Sequence, residues 1–144
     1  MVDTNKVYIC SPLRADNEKK LFLNMKRAEY KKDFTEVYLK NKFPKQEWRA
    51  LAPHAYIPKM LDDNIEEERK LGINFGLEIL KLCNYIAIFT GPDKIITQGM
   101  GNEITCGSKE NKTFLCFTKD SYMALISYLK ANNLNNANVV TFFK

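Results

Sequence analysis

The chain has 144 residues, of which 45% are hydrophobic and 27% charged, and its formal net charge is +5 at pH 7. This length and composition predict one globular domain, residues 1–144, with enough apolar surface to bury a core. No apolar run approaches the length of a membrane span, and polar residues interrupt the N-terminal segment where a signal peptide would be apolar. We therefore expect a cytoplasmic protein with no membrane partner.

The first predicted strand covers residues 6–10, the apolar run "KVYIC". Pro12 follows it and predicts a loop. A helix is predicted from Asp16 to about Lys40, because Asp16 or Asn17 can cap its N-terminus and apolar residues then recur at helical spacing. We expect this helix to break near Asp33.

A short second strand is predicted over 49–52, since Pro53 and Pro58 exclude a long one. The next helix is expected to start at Asp62 or Asp63 and to run to Cys83. Its first turns carry Glu66, Glu67 and Glu68, which is the acidic bias expected at the positive end of a helix.

The clearest buried strand is "NYIAIFT", residues 84–90, which ends at the turn signal "GPDK". The glycine-rich stretch that follows leads into a helix to about Asn111. Three further elements complete the chain: a strand over 112–118, a helix over 120–133 capped by Asp120 or Ser121, and a strand over 138–143.

Strands therefore alternate with helices from the first element to the last. The strands are apolar runs and do not alternate apolar with polar residues, which is typical of parallel strands buried on both faces. We predict an α/β fold with a five-stranded parallel sheet and helices on both faces, of flavodoxin-like or Rossmann-like type.

The four cysteines are widely spaced and form no CxxC pair, and His54 is the only histidine. A Cys/His zinc site therefore has too few ligands, and cysteines in apolar runs behave as small buried hydrophobes. We predict no metal, no disulfide and no cofactor. The cysteines are Cys10, Cys83, Cys106 and Cys116.

Much of the excess positive charge lies between residues 19 and 45. A basic surface can attract phosphate-bearing partners, but a lysine-rich solvated helix face explains it as well. The region has neither interleaved exposed aromatics nor a recognised motif, so nucleic acid is not an expected partner.

Ligands of open parallel sheets bind beyond the carboxyl ends of the strands, where the strand order reverses. This rule selects three loops: "SPLRAD" after the first strand, "PHAYIP" after the second and "GPDKIITQGMGNE" after the third. The polar residues of these loops that a ligand could contact are Ser11, Arg14, His54, Asp93 and Glu103. The predicted substrate-binding residues also include Gly91, Gly99 and Met100.

The stretch "TQGMGNEITCG", residues 97–107, places Glu103 among three of the six glycines of the chain. Glu103 is either a surface residue beside a tight turn or a carboxylate that a ligand reaches because the glycines lack side chains. A carboxylate in that position can trap the oxocarbenium-like state of N-glycosidic bond cleavage, as in retaining glycosidases.

Four segments together resemble the nucleoside 2-deoxyribosyltransferase superfamily: "KVYICSPLR", "APH", "EEERKLGINFGLEILKLCNYIAIF" and "TQGMGNEITCG". More narrowly, they resemble its small deoxyribosyltransferase-like members found in bacteria and phages. The similarity covers about residues 6–118 in the same order. Its most specific part is the G-M-x-x-E element that ends at Glu103.

The resemblance implies an N-glycosidase or deoxyribosyltransferase whose nucleophile is Glu103 and whose first-strand tyrosine, Tyr8, positions the nucleophile or the sugar. It implies that Ser11, Pro12 and Arg14 hold the sugar or its 5′ substituent, and an arginine suits a nucleotide phosphate. It also implies a nucleoside or nucleotide substrate and a homodimer or higher homo-oligomer.

The chain differs from classical members at two positions. Gly76 stands where they carry an aspartate that helps protonate the leaving base, and Asn84 stands where many carry another aspartate. Asp62, Asp63, Asp93 or Glu78 are substitutes for the missing acid. The alternative function is a binding module that holds a nucleotide-derived ligand without turning it over.

Overall fold

The computed structural model describes residues 4–143, which form five strands and four α-helices in strict alternation. In chain order they are β1 (Thr4–Cys10), α1 (Glu18–Lys42), β2 (Glu47–Leu51), α2 (Glu66–Lys81), β3 (Tyr85–Ile88), α3 (Gln98–Lys109), β4 (Thr113–Cys116), α4 (Lys119–Ala131) and β5 (Asn138–Thr141). Two single 3₁₀ turns, Pro53–Ala55 and Ile57–Lys59, lie between β2 and α2. The predicted order of elements is confirmed.

The five strands form one all-parallel sheet in the order β2-β1-β3-β4-β5. This is the flavodoxin-like order, and the predicted α/β fold class is confirmed. The strand order reverses between β1 and β3. Tyr8 of β1 lies beside this reversal and pairs with Leu51 of β2 on one side and Ile86 of β3 on the other.

Side chains of β1 alternate between the two faces of the sheet. Val7 and Ile9 pack with α1, whereas Tyr8 and Cys10 pack in the core formed by α2, α3 and α4. The sheet is therefore covered by helices on both faces, as predicted. The direction of Tyr8 decides where the candidate site lies, because Tyr8 points to the face that carries α3.

Several predicted helix ends differ from the observed ones. α1 is continuous through Asp33, where a break was expected, and Asn17 caps it by accepting from the backbone N–H of Lys20. α2 begins at Glu66 rather than at the predicted aspartates. α4 is capped by Thr118, whose hydroxyl accepts from the N–H of Ser121.

No helix among residues 4–143 is both long enough and apolar enough to span a bilayer.

Candidate active site

Glu103 is placed by the early turns of α3. Thr97 caps this helix by accepting from the backbone N–H of Met100 at 3.2 Å, so that Glu103 is its sixth residue. Glu103 therefore lies in the second turn of α3. The helix dipole acts mainly within the first turn. The environment of this carboxylate is therefore set by the side chains around it, and only 5% of the residue is exposed.

The Tyr8 hydroxyl donates a hydrogen bond to Oε2 of Glu103. Tyr8 is fully buried, and burial together with the nearby charge of Glu103 raises the pKa of its phenol well above the usual value. Tyr8 thus remains protonated at any working pH and acts as a fixed donor to the carboxylate.

His54 is the second side chain on the same carboxylate oxygen. It lies in the 3₁₀ turn directly after β2, and its Nε2 is 3.4 Å from Oε2 of Glu103. Burial alone would lower the pKa of His54, but the negative charge of Glu103 and its hydrogen bond outweigh burial and raise that pKa. The pair therefore favours an imidazolium beside a carboxylate.

Three polar atoms of the same site have no partner within the protein. Among buried side-chain nitrogen and oxygen atoms of residues 4–143, four lack a hydrogen bond: Ser11 Oγ, Trp48 Nε1, His54 Nδ1 and Glu103 Oε1. Trp48 lies elsewhere, but the other three belong to residues that line one cavity. Buried polar groups are nearly always paired, so this concentration indicates a place built to receive another molecule.

That cavity, the inner cavity, has a volume of about 370 Å³. It adjoins an outer cavity of about 600 Å³, with which it shares Arg14, His54, Asp63 and Arg69. The inner volume lies within the range of roughly 300–1,000 Å³ typical of small-molecule sites. Its position beyond β1 and β2 agrees with the rule for open parallel sheets.

Two arginines and an aspartate stand where the two cavities meet. Nε of Arg14 is 3.7 Å from one carboxylate oxygen of Asp63, and Nε of Arg69 is 3.8 Å from the other. All three side chains are partly exposed, so these ion pairs are weak and readily exchanged for a ligand anion. The group carries one net positive charge beside the inner cavity.

Most of the predicted site residues converge on the inner cavity. Ser11, Arg14, His54, Gly99, Met100 and Glu103 line it, and Tyr8 contacts Glu103 beneath it. Pro12, Gly91 and Asp93 line neither cavity. They lie together beside it, because a Cβ atom at Gly91 would be 3.4 Å from the Pro12 ring and 3.5 Å from the Asp93 carboxylate. Their assignment to substrate binding stays a prediction.

Several lining residues were not predicted as ligand contacts. On α3 these are Gln98 and Asn102, and on α2 they are Arg69, Gly72, Ile73 and Gly76. The sequence could have predicted that these α2 residues lie together, because residues three and four positions apart share one face of a helix. Gln98 and Asn102 carried no signal beyond their closeness to Glu103.

The three glycines around Glu103 have different roles. None of the six glycines, all of which the structure describes, has a positive φ, so backbone strain does not explain them. A Cβ atom on Gly99 would meet nothing within 4 Å, whereas one on Gly101 would be 2.9 Å from the Tyr128 ring and one on Gly107 2.2 Å from Ile86. Only Gly99 faces the inner cavity, and the other two permit close packing of α3.

The nearby thiol of Cys10 is an alternative nucleophile that the structure argues against. Cys10 is fully buried, and burial together with the adjacent Glu103 raises its pKa well above the usual value. Nucleophilic cysteines require a lowered pKa. Within residues 4–143, no group of three His, Cys, Asp or Glu side chains is arranged to hold a metal ion.

Fold and site together define a parallel α/β domain with a ligand-sized cavity at the strand-order reversal and a buried, tyrosine-bound carboxylate in its wall. Residues 5–117 match the family model described as "Domain of unknown function (DUF7768)". This match covers most of the chain, and the chain belongs to that family. Comparison with curated proteins gave no match.

Proposed function

We propose that this protein cleaves the N-glycosidic bond of a nucleoside or nucleotide, with Glu103 as the nucleophile. The observation that carries the proposal is the asymmetry of the Glu103 carboxylate. Oε2 is held by Tyr8 and His54, whereas Oε1 is buried without a partner in a residue that lines the inner cavity. An oxygen with free lone pairs beside a ligand-sized cavity is the arrangement that covalent catalysis by a carboxylate needs.

In the proposed reaction, Oε1 attacks the anomeric carbon of the sugar. The carbon–nitrogen bond breaks, its electron pair stays with the leaving base, and a glycosyl ester forms on Glu103. Water or a second base then attacks the same carbon and the ester bond breaks, which regenerates the carboxylate. The first outcome is hydrolysis and the second is transfer, and the proposal includes both.

Tyr8 is the positioning residue for this carboxylate. Its hydroxyl fixes Oε2 and so leaves Oε1 as the attacking atom. Fixing the nucleophile before the substrate arrives reduces the entropy lost on reaching the transition state.

Arg14 and Arg69 favour a phosphorylated substrate. Their guanidinium groups flank Asp63 at the junction of the two cavities, and a phosphate can replace that carboxylate with a stronger, bidentate contact. We therefore propose a nucleoside monophosphate in preference to a free nucleoside.

The test of this function is whether the variant Glu103→Gln still releases free base. The purified protein is incubated with a panel of ribo- and deoxyribonucleosides and their monophosphates, and products are separated by chromatography. Glu103→Gln should release no base above the uncatalysed rate. Glu78→Gln is the matched control, because Glu78 is exposed on α2, pairs only with Lys81 and lines neither cavity. Base release by Glu103→Gln at the wild-type rate would refute the mechanism.

A binding module is the second candidate, and Gly76 is the observation that favours it. Gly76 lines the inner cavity and faces the Tyr8 hydroxyl, where a Cβ atom would be 3.4 Å away. No carboxylate is therefore supplied from that position. A binder would show thermal stabilisation by a nucleotide that chromatography then finds unchanged.

We also propose self-association through an apolar groove beside α2. Tyr56, Met60, Phe75, Ile79 and Leu82 line this groove, which has a volume of about 830 Å³, and four of the five are substantially exposed. Five charged residues also line the groove: Lys6, Lys32, Glu36, Lys40 and Arg49. An exposed apolar patch rimmed by polar residues is typical of a protein–protein interaction site. Light scattering after size-exclusion chromatography should give a dimer or larger for the wild type and a monomer for Phe75→Glu.

A further inference from the structure

We propose that His54 is the acid and base of the reaction, donating a proton to the leaving base and later accepting one from water. This inference rests on the proposed function, because it assigns a role within the same site. His54 then donates the proton that classical members obtain from an aspartate at the position of Gly76, which has no side chain.

The position of His54 is the first argument. Its Nε2 is 3.4 Å from the carboxylate of Glu103, and its side chain is 17% exposed and lines both cavities. In a retaining glycosidase the acid and the nucleophile flank the bond that breaks, about 5–5.5 Å apart. A histidine that contacts the nucleophile through one ring nitrogen can therefore reach the leaving base only with the other ring nitrogen. Nδ1 of His54, the ring nitrogen that does not contact Glu103, has no partner among residues 4–143 and is the nitrogen free to donate to the base.

The proposed proton movements balance in both steps. As Oε1 of Glu103 bonds to the anomeric carbon and the base departs, the proton on Nδ1 of His54 passes to the base, while Nε2 stays beside Oε2 of Glu103. In the second step, neutral His54 takes a proton from the attacking water while the ester bond breaks. Carboxylate and imidazolium are then both restored, and no external acid is consumed.

The charge of Glu103 changes the acidity of His54 in the direction that each step needs. While Glu103 is a carboxylate, it raises the pKa of His54 and keeps the proton on the imidazole. Ester formation removes that negative charge, so His54 becomes a stronger acid in the step that needs a proton. When the ester breaks, the returning charge makes His54 a stronger base as water is deprotonated.

The other acids considered for this role fit less well. Asp63 lines the inner cavity but lies between two arginines, and Asp62 lines only the outer cavity. Asp93 and Glu78 line neither. The titratable and charged groups that share these cavities with His54 are Arg14, Asp16, Glu18, Lys59, Asp62, Asp63, Glu68, Arg69 and Glu103, and Tyr8 lies beneath them.

The experiment compares two leaving groups in His54→Gln. The substrates are the best nucleoside or nucleotide from the panel above and the 4-nitrophenyl glycoside of the same sugar, whose phenolate leaves without protonation. Because both substrates give the same ester, the comparison uses kcat/KM, which reports the step in which the leaving group departs. We expect kcat/KM on the nucleoside substrate to fall by about 100-fold or more and kcat/KM on the nitrophenyl glycoside to fall by less than about threefold. Equal losses on both substrates would overturn the proposal, since they would mean that His54 only positions Glu103. Unchanged activity on both would also overturn it.

A second measurement on the wild type does not depend on the stability of the variant. The kcat/KM for the nucleoside substrate should decline as pH rises through the His54 pKa, because the protonated imidazole is the acid. The kcat/KM for the nitrophenyl glycoside should not show that decline. Identical profiles would overturn the assignment. If wild type cleaves both substrates and Glu103→Gln cleaves neither, the proposed function holds whatever His54 does. The comparison of the two substrates in His54→Gln then tests this inference alone. If wild type cleaves neither substrate, the proposed function and this inference fail together.

Discussion

Tyr8 and Glu103 are 95 positions apart in the sequence, and a buried hydrogen bond joins their side chains. Tyr8 is on the inner strand β1, next to the strand-order reversal, and Glu103 is on α3, which packs on the face of the sheet to which Tyr8 points. The bond therefore links the core of the fold to the wall of the inner cavity. Tyr8 donates to Oε2 of Glu103, whereas Oε1 has no partner among residues 4–143.

Tyr8→Phe should lower both activity and stability. The change removes a donor from a buried carboxylate, which costs about 1–3 kcal/mol of unfolding free energy. Base release should fall at least about tenfold, because Oε1 is no longer held in the attacking position. Urea denaturation and chromatographic assays measure the two effects.

Tyr128→Phe is the matched control for Tyr8→Phe. The Tyr128 hydroxyl donates to the carbonyl oxygen of Gly101 at 2.9 Å and pairs with Thr105, so its loss also disturbs α3. It lines neither of the two site cavities. It should cost about 0.5–1.5 kcal/mol in stability but leave base release near the wild-type rate. Equal activity losses in the two variants would argue against a specific role for Tyr8.

The stability difference between wild type and His54→Gln should depend on pH. A histidine whose pKa is raised on folding contributes stability that is fully present below its unfolded pKa, about 6.5, and that is lost as pH rises through the folded pKa. Wild type should therefore exceed the variant in melting temperature most clearly near pH 5.5 and least near pH 9. A difference that is constant, or that grows with pH, would contradict the His54–Glu103 pairing.

The Asp63 carboxylate should compete with a substrate phosphate for Arg14 and Arg69. Asp63→Asn removes the carboxylate that occupies Arg14 and Arg69, so the KM for a nucleoside monophosphate should fall. Arg14→Gln and Arg69→Gln should each raise that KM by about tenfold, or about 1.4 kcal/mol. The corresponding nucleoside without phosphate is the internal control, and its KM should change little. Equal effects on both substrates would place the phosphate elsewhere.

Gly99 and Gly107 should respond in opposite ways to substitution by alanine. A methyl group at Gly99 meets nothing within 4 Å, so Gly99→Ala should stabilise α3 by up to about 0.5–1 kcal/mol. At Gly107 the added carbon would be 2.2 Å from Ile86 in the core, and overpacking costs about 1–3 kcal/mol. Urea midpoints measure both changes. Since Gly99 lines the inner cavity, Gly99→Ala should also raise KM, and destabilisation by that variant would contradict the assigned geometry.

The order of elements and the sheet type could be predicted because they depend on local patterns. Buried parallel strands are continuous apolar runs, and β1, β3 and β4 each end in such a run that is followed by a turn signal and a helical period. The edge strands differ, because β2 alternates exposed and buried residues and β5 is mostly exposed. Helix starts were less predictable. Thr118, rather than Asp120 or Ser121, caps α4, since several polar residues near a helix start compete for one geometry.

The candidate site could be predicted only in part. The rule for parallel sheets selected the loops that carry Ser11, Arg14 and His54, and these residues do line the inner cavity. The contact between His54 and Glu103 depends on side-chain directions after β2 and along α3, which no local pattern specifies. The sequence assigned Gly99 and Gly101 to the loop after the third strand, but both lie within α3, which begins at Gln98.

The central claim is that Glu103 forms a covalent bond to the sugar, and mass spectrometry of a trapped intermediate tests it most directly. Fluorine at C2 of the sugar slows hydrolysis of a glycosyl ester, so a 2′-fluoro nucleoside or its monophosphate should leave the sugar on the protein. We predict an added mass equal to that of the fluorinated sugar, located by peptide mapping at Glu103 and missing from Glu103→Gln. Release of base with no adduct, or an adduct on another residue, would contradict the account.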